Sequence, residues 1–323
     1  MFYWQIDEPK KIEQLSGKEN IDSINCIKIK IKQALLTQED FDLFQGVEDA
    51  EYPVIPSSFA VGEVSEVIDE NSSYGLKPLD KIYLNREATA LSDDENRQSG
   101  ELLKDFVVAN KDDIYILPPT ISLDDAIYIE YISMALKTFD KLDIQKGEHV
   151  AVIGGGILGN ILAQIINYHQ GVPIIIDNNE DNLKTAEQCG IYYTTKTDAD
   201  FETYIKEITG GRMVYKIVYL SDSHLNSDIS LKLARKNANI AYIGFGKSNI
   251  RLSCSVAMKK QLSVTFVNDG TGYTETAINL IANKALNFSR FSIPKVAFSG
   301  VKRIFENSLT ESTNQKEYII TIE

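Results

Sequence analysis

The stretch "HVAVIGGGILGNILAQIINYHQGVPIIID", His149 to Asp177, constrains the fold more than any other part of this 323-residue chain. An apolar run, His149 to Ile153, reads as a buried strand. Gly154, Gly156 and Gly159 follow at the spacing G-x-G-x-x-G. Leu158, Ile161, Leu162, Ile165 and Ile166 then recur at the interval that buries one face of a helix. A second apolar run closes on Asp177, 18 residues past Gly159. Strand, glycine turn, helix and strand in this order predict a βαβ unit with a parallel sheet.

Each part has a physical role toward a dinucleotide. Gly154 permits the tight turn, Gly156 lets the backbone approach a pyrophosphate, and Gly159 lets helix and strand pack closely. The first helical residues, Ile157 and Leu158, bring free N–H groups and the positive end of the helix dipole to the phosphates. Asp177 can accept hydrogen bonds from the adenosine ribose hydroxyls and would repel a 2′-phosphate. Asn178 and Asn179 add no basic side chain to hold one. This points to NAD(H) rather than NADP(H). A glycine-rich turn joining any strand to any helix is the bland alternative, and it leaves the acid at the second strand's end unexplained.

The rest of the chain divides by texture. Before Pro118-Pro119 it reads as β-rich: "CIKIKIK" alternates with the period of a half-buried strand, and "AVGEVSEVI", "LKPLDKIYL" and "DFVVANKDDIYILPP" carry further strands. Asn85 to Glu101 is polar and reads as a long loop. Ser122 to Leu142 begins with a Ser N-cap and an acidic first turn and predicts one helix. From His149 on, short apolar runs alternate with helical segments. Gly272 to Leu286 predicts another helix, and "KEYIITIE" a terminal strand.

Composition limits the partners. Lys plus Arg less Asp plus Glu gives 33 − 46 = −13, a charge that opposes binding to nucleic acid or an anionic membrane. No apolar run approaches the roughly 20 residues of a spanning helix. The start, "MFYWQIDEPKKIEQ", lacks the organisation of a signal peptide, so the chain reads as cytoplasmic. Cys26, Cys189 and Cys254 are far apart, with no C-x-x-C pair and no disulfide framework.

The order of these parts resembles the medium-chain dehydrogenase/reductase superfamily, the zinc alcohol and polyol dehydrogenase kind, over essentially the whole chain. "GLKPLDKIYL" is similar to that family's G-x-K-x-G-D-x-V turn. "IGFG" (Ile243 to Gly246) and "FVNDG" (Phe266 to Gly270) resemble its last two sheet strands beside the nicotinamide, which makes Gly244 and Asn268 cofactor-binding candidates. The resemblance implies a GroES-like catalytic domain, residues 1–122 and 270–323, and a Rossmann domain, residues 123–269, with a cofactor cleft between them. It also implies homodimers paired through the last sheet strand, Leu262 to Asp269.

The metal ligands of that family are missing. Its catalytic-zinc cysteine falls on Thr37, its Gly-His-Glu triplet on Ser57-Ser58-Phe59, and only Glu130 matches a third ligand of polyol dehydrogenases. One carboxylate without a His or Cys partner does not make the usual three-ligand zinc site. The Asn85 to Glu101 loop has no cysteine for a structural-zinc lobe. No zinc is expected.

Candidates for the chemistry, placed by the resemblance, are Thr37, Asp40, Ser58 and Glu130. Each has a structural alternative. Thr37 could be a strand-end threonine bonded to backbone, Asp40 could fix its loop, Ser58 could cap a turn, and Glu130 could pair with a basic side chain. Tyr131 reads as core and His224 as a loop histidine. A looser similarity to ribitol-5-phosphate dehydrogenases would give Arg86 or Arg97 a phosphate to hold.

The expected function is a zinc-independent, NAD(H)-dependent oxidoreductase acting on a small alcohol or carbonyl, a polyol or a sugar phosphate. Two alternatives stand beside it: a quinone or enoyl reductase, and a catalytically inactive protein that still binds dinucleotide.

Overall fold

A computed structural model of the chain describes residues 1–17, 26–47, 50–68, 75–85, 101–111, 114–198, 200–220, 225–244, 250, 252–310 and 317–323. Arg86, Arg97, His224 and Gly246 lie outside the described residues, as does nearly all of the polar loop. The chain forms two compact units, Met1–Tyr128 with Ser292–Glu323, and Ile129–Phe291. These boundaries fall at 128/129 and 291/292 rather than at 122/123 and 269/270. The helix Thr274–Ala282 therefore belongs to the second unit, where it packs on the helix Ile129–Lys141.

The second unit is built on a six-stranded sheet in which every pair is parallel. Its order is Tyr193–Thr195, Val172–Ile176, His149–Ile153, Val214–Leu220, Ala234–Ile243 and Ser263–Val267. The chain thus runs outward from His149–Ile153 and then returns to build the other half. That reversal makes the junction of His149–Ile153 with Val214–Leu220 the topological switch point, where ligands of such sheets bind beyond the strands' C-terminal ends. Both faces are covered by helices, so Val150 to Ile153 and Ile174 to Ile176 are wholly buried and uniformly apolar. The expected Rossmann architecture holds.

In the first unit, Cys26–Leu36 is the central strand of a largely antiparallel sheet. It pairs with Phe59–Ile68, Phe106–Ala109 and Tyr318–Thr321. The lysine–isoleucine alternation does what its period predicts: Ile27, Ile29 and Ile31 are fully buried in the core, while Lys28 and Lys30 are only half-buried. Lys81–Asn85 and Tyr115–Ile116 continue the sheet on one side, and Lys295–Ala297 ends it on the other.

Two elements differ from the sequence expectation. The predicted helix from Ser122 is two helices, Leu123–Ala126 and Ile129–Lys141, separated at Ile127 and Tyr128. Ser122 does cap the first, its Oγ accepting the Asp125 N–H at 3.0 Å. The last parallel strand is Ser263–Val267, shorter than Leu262 to Asp269. Among the described residues no helix is long and apolar enough to cross a membrane.

Candidate functional site

In the second unit the glycine turn follows its strand directly. Gly154 has φ +108, in the region open mainly to glycine. Its N–H donates to Ile176 O at 2.9 Å, joining the ends of the two neighbouring strands. Gly156 is the N-cap of the helix Ile157–Tyr168, and no side chain caps it, so the first-turn N–H groups remain available to an anion. Gly159 is required by contact: a Cβ there would lie 2.0 Å from Gly154 O. Leu158 is buried behind the turn.

Asp177 follows the second strand, and its carboxylate reaches back to the turn. Oδ2 accepts the Gly155 N–H at 2.7 Å and an Asn182 Nδ2 proton at 2.8 Å. Among the described residues Oδ1 accepts the Asn179 N–H alone, at 2.8 Å, which leaves acceptor capacity on that oxygen. Asn178 Oδ1 accepts from both the N–H and the hydroxyl of Thr197, at 3.0 and 2.9 Å, tying this loop to the one after Tyr193–Thr195. Sequence reasoning missed Asn182 and Thr197. Asn182 lies in the first turn of the helix that starts at Glu180, and the fold turns it back toward Asp177.

Gly244 and Asn268 follow the last two strands. Gly244 has φ +148, and its N–H donates to Val267 O at 3.3 Å. Asn268 is exposed. With the glycine turn and Asp177, these residues occupy the C-terminal edge of one sheet. A cavity of about 410 Å³ lies at the opposite edge, against Glu148, Lys216, Asn239 and Ser263.

In the first unit, Leu35 pairs with Phe59, so Thr37 and Ser57 leave the same end of two adjacent strands. Asp40 joins them. Thr37 is the N-cap of a helix the sequence reading did not predict, Gln38–Gln45. Asp40 Oδ2 accepts the Thr37 N–H at 2.8 Å, and Oδ1 accepts the Ser57 N–H at 2.6 Å. The Thr37 hydroxyl lies 3.5 Å from Oδ2. Ser57 sits at φ +70, with its Oγ 3.0 Å from the carbonyl oxygens of both Leu35 and Phe59. Thr37, Asp40, Ser57 and Ser58 are all buried, and Phe59 fills the core beside them. Burial raises the Asp40 pKa to about 7, against the opposing pull of the two N–H groups.

Glu130 belongs to the second unit and is buried. Its Oε1 accepts the Gly270 N–H at 2.8 Å. Two turns along the same helix, Lys137 Nζ meets Asp269 Oδ1 at 2.5 Å. Burial disfavours the Asp269 carboxylate, but Lys137 and the Thr271 N–H outweigh it and hold the pKa at about 2. A carboxyl group whose folded pKa is lowered stabilises the fold above its ordinary value and loses that contribution as pH falls toward 2. Following the Asp269 carbon resonance during acid titration should show this low midpoint. In Lys137→Met the midpoint should rise toward the ordinary carboxylate range. Tyr131 is wholly buried, as its core reading required. Among the described residues no three His, Cys, Asp or Glu side chains gather where a metal ion could be held.

Comparison with known proteins agrees with this architecture. Residues 157–283 match the family model "Zinc-binding dehydrogenase". The chain is 27% identical over 197 residues to the sorbitol dehydrogenase of Halalkalibacterium halodurans, covering 59% of this chain and 57% of that one. It is 24% identical over 186 residues to an uncharacterized zinc-type alcohol dehydrogenase-like protein of Haemophilus influenzae, covering 57% and 54%. The chain thus spans little more than half the length of these curated relatives. Among solved structures, a protein named short chain alcohol dehydrogenase from Escherichia coli CFT073, in complex with NADH, superposes with a TM-score of 0.82 at 14% identity. That match covers 100% of this chain and 99% of the other, and shows the shared fold. Parallel sheet, glycine turn, β-rich unit and the family match over residues 157–283 all agree with the resemblance to zinc-type alcohol and polyol dehydrogenases.

Proposed function

We propose that the protein is an NAD(H)-dependent oxidoreductase that moves hydride to or from a small alcohol or carbonyl, of the polyol or sugar-phosphate class, without zinc. One observation carries the cofactor half of this reading. The Asp177 carboxylate is held against the Gly154–Gly159 turn by the Gly155 N–H, with acceptor capacity left on Oδ1. A carboxylate in that place favours ribose hydroxyls and repels a 2′-phosphate. The residues fit the dinucleotide: a cradle that a Cβ at Gly159 would fill, and an uncapped helix N-terminus for the pyrophosphate. When bound, the cofactor would donate the hydride in reduction of a carbonyl or accept it in oxidation of an alcohol.

The same residues do not fit zinc. Thr37, Ser57, Ser58 and Phe59 bring hydroxyls and a ring where metal ligands would be needed. Both Asp40 oxygens accept backbone N–H groups, as does Oε1 of Glu130. Proton handling then falls to hydroxyls. Thr37, with the Asp40 carboxyl behind it, is the pair whose ordinary exchange of a proton lies near neutral pH. The sorbitol dehydrogenase relative supports the polyol class. The edge strand Ser263–Val267 exposes Val264 and Phe266 and supports pairing of two copies along it.

Fluorescence titration with NADH and NADPH tests the cofactor. Wild type should bind NADH more tightly, and Asp177→Ala should weaken NADH on the order of tenfold while narrowing the preference. Tighter NADPH binding would overturn the assignment, and stoichiometric zinc in the purified protein would overturn metal independence. A screen of polyols and sugar phosphates, followed by NADH absorbance, tests the activity. Silence from a protein that binds NADH would refute the enzyme.

A further inference from the structure

One face of the helix Ile129–Lys141 is committed to a single short segment of chain. Glu130, Ser133, Lys137 and Asp140, at intervals of three, four and three, lie along one side of the helix. Each meets the stretch Asp269–Tyr273. Glu130 Oε1 accepts the Gly270 N–H at 2.8 Å. Gly270 is pressed so close to the helix that a Cβ would fall 2.3 Å from the Ser133 Cβ and 2.9 Å from the Met134 nitrogen. Lys137 meets Asp269 at 2.5 Å, and the Tyr273 hydroxyl donates to Asp140 at 2.9 Å. Within the segment, Asp269 Oδ1 accepts the Thr271 N–H and Gly270 O accepts the Tyr273 N–H.

Asn268 is the single residue between this fastening and the sheet. On its other side Val267 is held by its strand and by the Gly244 N–H. An exposed side chain with one fixed neighbour on each side has little backbone freedom left to lose on meeting a ligand. It stands at the C-terminal strand edge, where the glycine turn and Asp177 also lie.

We propose that Glu130 is a positioning residue for the nicotinamide half of the dinucleotide, acting through Gly270 to hold Asn268 in its binding conformation. This rests on the dinucleotide reading above. Toward Gly270 the carboxylate works as a backbone acceptor, so an amide oxygen in the same place can keep that bond, whereas a methyl group cannot.

The test uses the whole protein and two probes, NADH and ADP. ADP needs only the glycine turn and Asp177; NADH also needs the Asn268 end. Glu130→Ala should raise the Kd for NADH about tenfold and leave the Kd for ADP within twofold. Glu130→Gln should restore NADH binding to near the wild-type value. In the ligand-free protein, hydrogen exchange of the Gly270 amide should accelerate at least a hundredfold in Glu130→Ala and stay slow in Glu130→Gln. Lys137→Met, which cuts the neighbouring fastening, should show the same NADH-selective loss to a smaller degree, and guards against a Glu130→Ala that fails to fold. Equal weakening of ADP and NADH would mean a general loss of structure and would overturn the proposal. So would an unchanged NADH Kd with a freely exchanging Gly270 amide. A wild-type protein that binds neither probe would instead bring down the dinucleotide reading itself, and this inference with it.

Discussion

Gly159→Ala should weaken dinucleotide binding severely and lower stability more than the same methyl at Gly155. The Cβ would stand 2.0 Å from the Gly154 carbonyl oxygen, well inside contact distance, and the obstacle is backbone that cannot rotate away. Relief requires the helix Ile157–Tyr168 to move off its strand. That opens the packing of Leu158, Ile161 and Leu162, all buried against the sheet. Overpacking of this kind costs about 1–3 kcal/mol, occasionally more. It also withdraws the helix N-terminus from the phosphates, whose recognition depends on close backbone N–H groups. We expect NADH affinity to fall by on the order of a hundredfold, about 2.7 kcal/mol.

Gly155→Ala is the natural control. There a Cβ would meet Ile175 Cγ2 at 3.0 Å and the Asp177 Oδ2 at 3.3 Å, both ends of side chains that can adjust. Its loss of affinity should be several times smaller. Thermal melting and NADH titration of the two variants measure both effects. A Gly159→Ala protein that melts and binds like wild type would refute the close-packed turn.

The difference between these two glycines shows what the sequence could and could not reveal. Spacing alone assigned Gly154, Gly156 and Gly159 their roles, because turn, approach and packing are local demands on three positions of one βαβ unit. Strand alternation in "CIKIKIK" and the apolar runs of the parallel sheet were legible for the same reason: each reports the burial of its own segment. Contacts made across the fold were not legible. Asn182 meets Asp177 only because the helix after the second strand turns back over the sheet. Glu130 could be matched to a ligand position in the family, yet it also accepts a backbone N–H 140 residues away in the chain, and no local pattern announces that contact. The short helix Gln38–Gln45 is not legible in the sequence because its polar start, "QED", resembles a loop. The break at Ile127 and Tyr128 had no proline or glycine to mark it.

Asp40 gives the second large effect, and its sign depends on pH. The buried carboxyl accepts the Thr37 and Ser57 N–H groups, so Asp40→Ala leaves two buried donors without acceptors, each worth about 1–3 kcal/mol. Against this stands the cost of keeping the group ionised out of water. With a folded pKa of about 7 and an ordinary value of 3.8, the native state holds a proton that the unfolded state has lost between those limits. Stability therefore falls as pH rises through that window, by up to about 4 kcal/mol. The substitution should accordingly cost more at pH 5, where the folded carboxyl is still protonated and accepts both N–H groups without the charge. It should cost about 3 kcal/mol less at pH 8, where wild type already bears the buried charge. Urea denaturation of wild type and Asp40→Ala at the two pH values reads the difference directly. If the two N–H groups outweigh burial, the folded pKa stays in the ordinary carboxylate range and the cost of the substitution is the same at both. A sloping difference would also set the pH at which the Thr37 and Asp40 pair exchanges its proton. The rate profile of any reaction it serves should then bend near pH 7 in wild type and lose that bend in Asp40→Asn.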